Sequence, residues 1–132
     1  MRFAYDLTIP AGTTAADPAT RGVHLVKGRL YHAEIAVPPG PADTVHAVVK
    51  DSLFQILPVN PDSSFSWDDY THQVDLDYEL PDLGHELTLV GWSPTAIFDH
   101  TITFRFDVAP SDKKGERTVI EQLASLLGLQ GR

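Results

Sequence analysis

The sequence predicts an all-β fold, an antiparallel β-sandwich or jelly-roll-like domain followed by one C-terminal amphipathic helix. Three observations predict it: apolar and polar residues alternate along short segments, these segments start about every 8 to 12 residues, and Pro, Gly and Asp cluster between them. No helical periodicity separates the segments, so a doubly wound α/β fold is excluded. The 132 residues suffice for one hydrophobic core and are too few for two independent ones.

The N-terminal third contains three predicted strands. Four apolar residues share one face of the first strand: Phe3, Tyr5, Leu7 and Ile9. Pro10 and Gly12 end this strand, and two more are predicted at 22–27 and 29–37, on either side of Gly28. In the third strand one face is expected to hold Tyr31, Ala33, Ile35 and Val37.

The remaining strands are predicted at 44–49, 53–57, 74–79, 87–92 and 101–108. The short connection at 50–52 is typical of a hairpin, whereas 58–67 is a long loop. In the last strand one face is apolar throughout: Ile102, Phe104, Phe106 and Val108. Asp75 and Asp77 lie two apart on a strand and therefore face the same way, which indicates a solvent face.

The chain changes character after the last strand. We predict a β-sandwich domain over 1–109, a polar linker over 110–115 and an amphipathic helix over 116–129. Five apolar residues recur at helical spacing: Val119, Ile120, Leu123, Leu126 and Leu127. Because a helix of about three turns is unstable alone in water, this stripe must be buried. It either folds back on its own domain or binds a partner subunit.

Charge limits the classes of partner. The chain carries 18 acidic and 10 basic residues, and no Lys or Arg occurs between Lys50 and Arg105. Such a surface repels phosphate, so direct nucleic-acid binding is disfavoured. It keeps the protein soluble through like charge, or it matches a basic partner or a cation. We expect no signal peptide and no membrane span, which places the protein in the cytoplasm or in a virion.

No motif nominates a catalytic site, so we expect a protein that is not an enzyme and needs no cofactor. The chain has no cysteine, no glycine-rich phosphate loop and no GxSxG; Gly91-Trp92-Ser93 is followed by Pro94. The six histidines are scattered, without HxH or HExxH spacing. The best local cluster joins His72 to Asp69 and Asp75.

The 58–72 loop offers a different function, ligand binding. Its oxygen-rich side chains are candidates for calcium ligands: Asp62, Asp68 and Asp69. The spacing is not that of an EF-hand, and a polar loop with an aromatic residue pinned to the core explains the same residues. Trp67 and Tyr70 are candidates for stacking on a carbohydrate, or they cover the core.

Several segments resemble the small all-β accessory proteins of tailed-phage virions, of decoration or connector type. They are Leu7-Thr8-Ile9-Pro10-Ala11-Gly12-Thr13, Val37-Pro38-Pro39-Gly40, Val45-His46 and Pro58-Val59-Asn60-Pro61-Asp62. The resemblance spans 3–108 and implies a symmetric or array-bound structural module whose contact surfaces are the C-terminal helix and the acidic face. We therefore expect a protein that is homo-oligomeric or engages a larger assembly through the helix and exposed β-edges. The ligand-binding β-sandwich is the alternative, and the fold alone does not decide between the two functions.

Overall fold

The computed structural model describes residues 1–111, which form eight strands in two four-stranded antiparallel sheets. The strands are β1 (Arg2–Ile9), β2 (Ala19–Leu25), β3 (Gly28–Val37), β4 (His46–Asp51), β5 (Phe54–Leu57), β6 (Tyr70–Leu80), β7 (His85–Trp92) and β8 (His100–Pro110). The sheet orders are β1-β8-β3-β6 and β2-β7-β4-β5. This confirms the predicted all-β sandwich, and the strand order is that of a jelly roll.

The core lies between the sheets and follows the predicted alternation. All four inward residues of β8 are buried: Ile102, Phe104, Phe106 and Val108. They are central because β8 pairs with both β1 and β3. Gly91 of β7 lets the sheets approach closely, since a Cβ there would lie 2.2 Å from Cδ1 of Ile9.

Four connections gather at one end of the sandwich, which we call the loop end: 10–18, 38–45, 58–69 and 93–99. Backbone hydrogen bonds join the first of these loops to the last, from the Gly12 N–H to the Ser93 carbonyl and from the Ser93 N–H to the Thr13 carbonyl. The 38–45 and 58–69 loops are joined in the same way through Asp43 and Trp67. Residues distant in sequence therefore become neighbours here.

Two sequence expectations about the strands were wrong. Tyr31 is exposed rather than inward, because a β-bulge between Leu30 and His32 places Leu30 and Ala33 on the buried face. A single inserted residue changes which face later side chains occupy, and periodicity does not detect it. The second strand begins at Ala19 and ends at Leu25, because β2 pairs with β7 along that whole length.

Candidate functional site

One corner of the loop end holds the predicted aromatic pair. Trp67 is 63% exposed and Tyr70 is 50% exposed, and their ring centroids lie 5.6 Å apart with the planes inclined by 35°. Beside them is an open cavity of about 420 Å³ lined by Ala42, Asp43, Trp67 and Asp68. We call this group the Trp67 corner. The rings are thus solvent-facing and are not core cover.

Asp43 holds the Trp67 corner together, and sequence reasoning missed it. Its Oδ1 accepts hydrogen bonds from the Ser66 hydroxyl and from the Trp67 N–H at 3.1 Å, while its own N–H donates to the Trp67 carbonyl at 3.3 Å. The Ser66 hydroxyl and then the Trp67 N–H lower the pKa of Asp43, so it is a carboxylate at neutral pH. No local motif announces a contact across 24 residues of sequence.

The acidic residues predicted as calcium ligands brace the loops. Asp68 Oδ1 accepts the N–H groups of Gly40 at 2.8 Å and Ala42 at 2.9 Å. The N–H of Asp62 donates to Asn60 Oδ1, and that of Asp69 donates to the Pro38 carbonyl. Within residues 1–111 no group of three or more His, Asp or Glu is placed to hold a metal ion. Calcium binding here stays a prediction.

A second exposed surface was not predicted. The β4–β5 hairpin and the following loop display Leu53, Phe54 and Val59, which are 91%, 77% and 78% exposed. Next to them, Val59 and Ile56 border a cavity of about 350 Å³ that reaches Leu76 on the inner face of β6. We call this surface the β5–β6 groove. It forms because four-residue β5 lies opposite eleven-residue β6.

A half-buried polar cluster links the two sheets beside this groove. Asp51 Oδ2 accepts hydrogen bonds from the Tyr78 hydroxyl at 2.5 Å and from His85 Nε2 at 2.9 Å. Burial and the hydrogen bond to Asp51 raise the pKa of Tyr78 to about 12. Burial alone would lower the pKa of His85, but its contacts with Asp51 and Asp82 outweigh burial and raise this pKa. For Asp51, burial alone would raise the pKa, but the hydrogen bonds from Tyr78 and His85 outweigh burial and lower it. The cluster is satisfied internally and presents no nucleophile.

The predicted cluster of His72 with Asp69 and Asp75 is not formed as expected. Positions three apart on a strand face opposite sides, so His72 turns inward and its Nε2 contacts the Ser66 carbonyl at 2.7 Å. Asp75 instead meets Nδ1 of His32 on the neighbouring strand at 2.8 Å. Asp77, on the same outer face as Asp75, accepts a hydrogen bond from Arg29. The outer face of β6 is acidic and exposed, as predicted.

The proposed partner-binding stripe lies outside the described residues. It consists of Val119, Ile120, Leu123, Leu126 and Leu127. Strand β8 ends at Pro110, and the Ser111 N–H donates to the Lys27 carbonyl at 2.9 Å. The chain therefore leaves the sandwich beside the start of β3 and the end of β6. Among residues 1–111 no helix is long and apolar enough to cross a membrane.

No protein-family model and no curated sequence matches the chain. Solved structures with a similar backbone include the capsid asymmetric unit of cyanophage Pam1, at 14% identity and a TM-score of 0.47, covering 80% of this chain and 81% of that one. Another is the Tobacco streak virus coat protein dimer, at 11% identity and a TM-score of 0.37, covering 85% of this chain and 86% of that one. A family two carbohydrate esterase from Cellvibrio japonicus is similar at 13% identity and a TM-score of 0.31, covering 83% of this chain and 36% of that one. At these values the likenesses assign no function to this chain.

Proposed function

We propose that the chain is a non-enzymatic structural protein that assembles with copies of itself, or joins or decorates a larger, virion-like assembly. The contacts are made by the C-terminal segment 116–129 and by exposed β-edges. The observation that carries the proposal is the exposed apolar surface of Leu53, Phe54 and Val59, of which Val59 also lines the β5–β6 groove. Apolar surface of this kind beside an open edge favours a protein contact.

The β4–β5 hairpin supports this proposal because its apolar side chains are exposed and do not pack in the core. Leu53 and Phe54 extend into solvent, where a polar turn would serve equally well. β5 is also an edge strand, so one side of its backbone is available to pair with an added strand. A partner that covers this edge would bury the side chains and satisfy the backbone together.

The chemistry of the C-terminal segment supports the same proposal. Its five apolar positions need burial, and the preceding residues include Lys113, Lys114 and Arg117. The outer face of β6 beside the groove carries Asp75 and Asp77. His32 and Arg29 compensate part of this charge, and the remainder would orient a basic linker along the strand. The expected partner is thus a protein subunit, with no direct contact to nucleic acid or membrane.

Light scattering of the full chain over a range of concentrations tests the proposal. We expect a discrete oligomer whose mass falls in Leu123→Asp/Leu126→Asp and in Leu53→Ser/Phe54→Ser. Ile97→Ser is the matched control, because it removes an equally exposed apolar side chain from the loop end. A full-length chain that is monomeric at every concentration would contradict self-assembly, and an oligomer unaffected by both double variants would contradict the surfaces.

Ligand binding by the 58–72 loop is the second candidate function, and the exposed Trp67–Tyr70 pair favours it. A carbohydrate or calcium that binds only the folded state would raise the melting temperature. Thermal melts across a panel of cations and glycans measure this directly. The absence of any shift would remove those two ligand classes and leave the assembly proposal untouched.

A further inference from the structure

The Trp67 corner keeps a large aromatic side chain in water by means of an unfavourable backbone. Trp67 has φ +88°, a region that bulky residues rarely adopt, and Ala42, Asp43 and Asp69 in the same corner also have positive φ. Such conformations persist only where the surroundings enforce them, and they cluster at binding sites. Here the enforcing contacts are the hydrogen bonds between Trp67 and Asp43.

A row of rings fixes the indole from the core outward. Phe65 is buried and lies 5.2 Å from His72; His72 lies 4.8 Å from Tyr70 in an edge-on arrangement, and Tyr70 contacts Trp67. Each ring limits the movement of the next. The indole is therefore supported by Tyr70 while most of its surface stays in solvent, where a flat group can stack against it.

The surroundings of the indole select a cation. The carboxylates of Asp43 and Asp68 line the same cavity, and each uses Oδ1 to hold the loops. His46 acts electrostatically on Asp43, and the sequence between Lys50 and Arg105, which includes Asp68, holds no Lys or Arg. A guanidinium group stacks on an aromatic face and donates several N–H bonds to carboxylates, whereas an ammonium group does not stack and a neutral sugar gains no charge interaction.

We propose that the Trp67 corner binds an arginine side chain of a protein partner, with the guanidinium stacked on Trp67 and its N–H groups directed at Asp43 and Asp68. This site goes beyond the assembly proposal, since it lies at the loop end and not at the β5–β6 groove. The proposal assigns a binding function to two residues of the acidic surface, Asp43 and Asp68. A carbohydrate in the same place is the competing occupant that the experiment must distinguish.

The probe is a capped Gly-Arg-Gly peptide, titrated into the full ¹⁵N-labelled chain while the indole and loop amide resonances are followed by NMR. We expect saturable shifts across the millimolar range at Trp67, Ala42 and Asp68. The matched peptide carries citrulline, which keeps the shape of arginine without its charge. We expect it to bind about tenfold more weakly, as loss of a charge-assisted contact predicts.

Two variants and a set of sugars complete the test. Trp67→Leu and Tyr70→Leu should weaken peptide binding, while Tyr31→Leu, at an exposed aromatic residue of β3, should leave it unchanged. Equal binding of the arginine and citrulline peptides, or shifts with methyl pyranosides alone, would overturn the proposal. Absence of saturable binding would also overturn it. None of these results bears on oligomer mass, so failure here leaves the assembly proposal standing.

Discussion

The two long sides of the sandwich are closed in different ways. Where β1 lies over β2, the Tyr5 hydroxyl donates to the His24 carbonyl at 2.7 Å, and Arg21 donates to the Asp6 carbonyl at 2.7 Å while covering the Tyr5 ring. Where β6 lies over β5, the Tyr78–Asp51 bridge stands beside an open groove. We call them the sealed side and the open side.

The difference shows on which side of the domain apolar surface is available for a partner. On the sealed side long polar side chains of one sheet bind backbone carbonyls of the other, so water is kept from the core without a partner. Inward apolar side chains are partly buried on both sides, Phe3 and Tyr5 on the sealed side and Val74 and Leu76 on the open side. The open side differs because Leu76 borders the groove. The gain from a covering layer grows with the apolar area still exposed, and Leu53, Phe54 and Val59 expose the most here, which is why we assign assembly to this side.

The largest expected effect contrasts a core residue from each side. Ile9→Ala should lower the free energy of unfolding by about 2–5 kcal/mol, because Ile9 is fully buried against Gly91. Leu76→Ala should cost only about 1 kcal/mol, because its side chain is partly in water already. Urea unfolding of both variants under conditions that keep the chain monomeric measures the difference. Equal costs would mean that the open side is as well packed as the sealed one.

Overpacking the sealed side comes next. Gly91→Ala places a methyl group against Ile9 and Leu7 in a full core, and it should destabilise the fold by about 1–3 kcal/mol. Gly22→Ala is the control, because its Cβ meets the exposed, flexible side chain of Glu86. A thermal melt of each variant gives the comparison. If Gly91→Ala left the melting temperature unchanged, the sheets would not approach each other closely at this point.

The two cross-sheet tyrosines give a smaller effect. Tyr78→Phe should cost about 1–2 kcal/mol, because half-buried Asp51 then loses one of its donors. Tyr5→Phe should cost about 0.5–1 kcal/mol, because water can replace its hydroxyl at an exposed carbonyl. Chemical denaturation at pH 7 ranks the two. The reverse ranking would show that the sealed side depends more on its polar contacts than the open side does.

The pH dependence of stability tests the open side alone. His85 has a raised pKa, so its charged contact with Asp51 stabilises the fold fully below about pH 6.5 and is lost as pH rises through the folded-state pKa. Stability should therefore fall as the pH rises from below about 6.5 through the higher folded-state pKa, and less so in His85→Gln. Asp75 also raises the pKa of His32, but this contribution is the same in the unaltered protein and in His85→Gln and therefore cancels in the comparison. Parallel slopes for the two proteins would exclude this contribution.

Leu53→Ser/Phe54→Ser should have the smallest effect on stability of the monomer, within about 0.5 kcal/mol, because both side chains are already in water. Its effect on assembly should nevertheless be large. Unfolding curves of this variant, recorded beside its solution mass, separate the two quantities. A large loss of monomer stability would mean that the hairpin serves the fold and not a partner.

Much of the fold could be predicted because strand alternation is local. The inward face of β8, the acidic outward face of β6 and the hairpin near Ser52 follow from short stretches of sequence. The bulge at Tyr31 could not be predicted, because it depends on pairing with both β6 and β8. Trp67 and Tyr70 were found from their chemistry, but Asp43 and the Leu53–Phe54 surface were not.

The sequence by itself determined the all-β class, the apolar face of strands such as β8 and the negative charge between Lys50 and Arg105, because period-two burial and charge are properties of neighbouring residues. Only the tertiary structure decided the strand order, the bracing of Trp67 by Asp43 and the contrast between a sealed and an open side. Each of these depends on which distant strands and loops meet. Such meetings follow from closing the whole sandwich around one core, which no local pattern records.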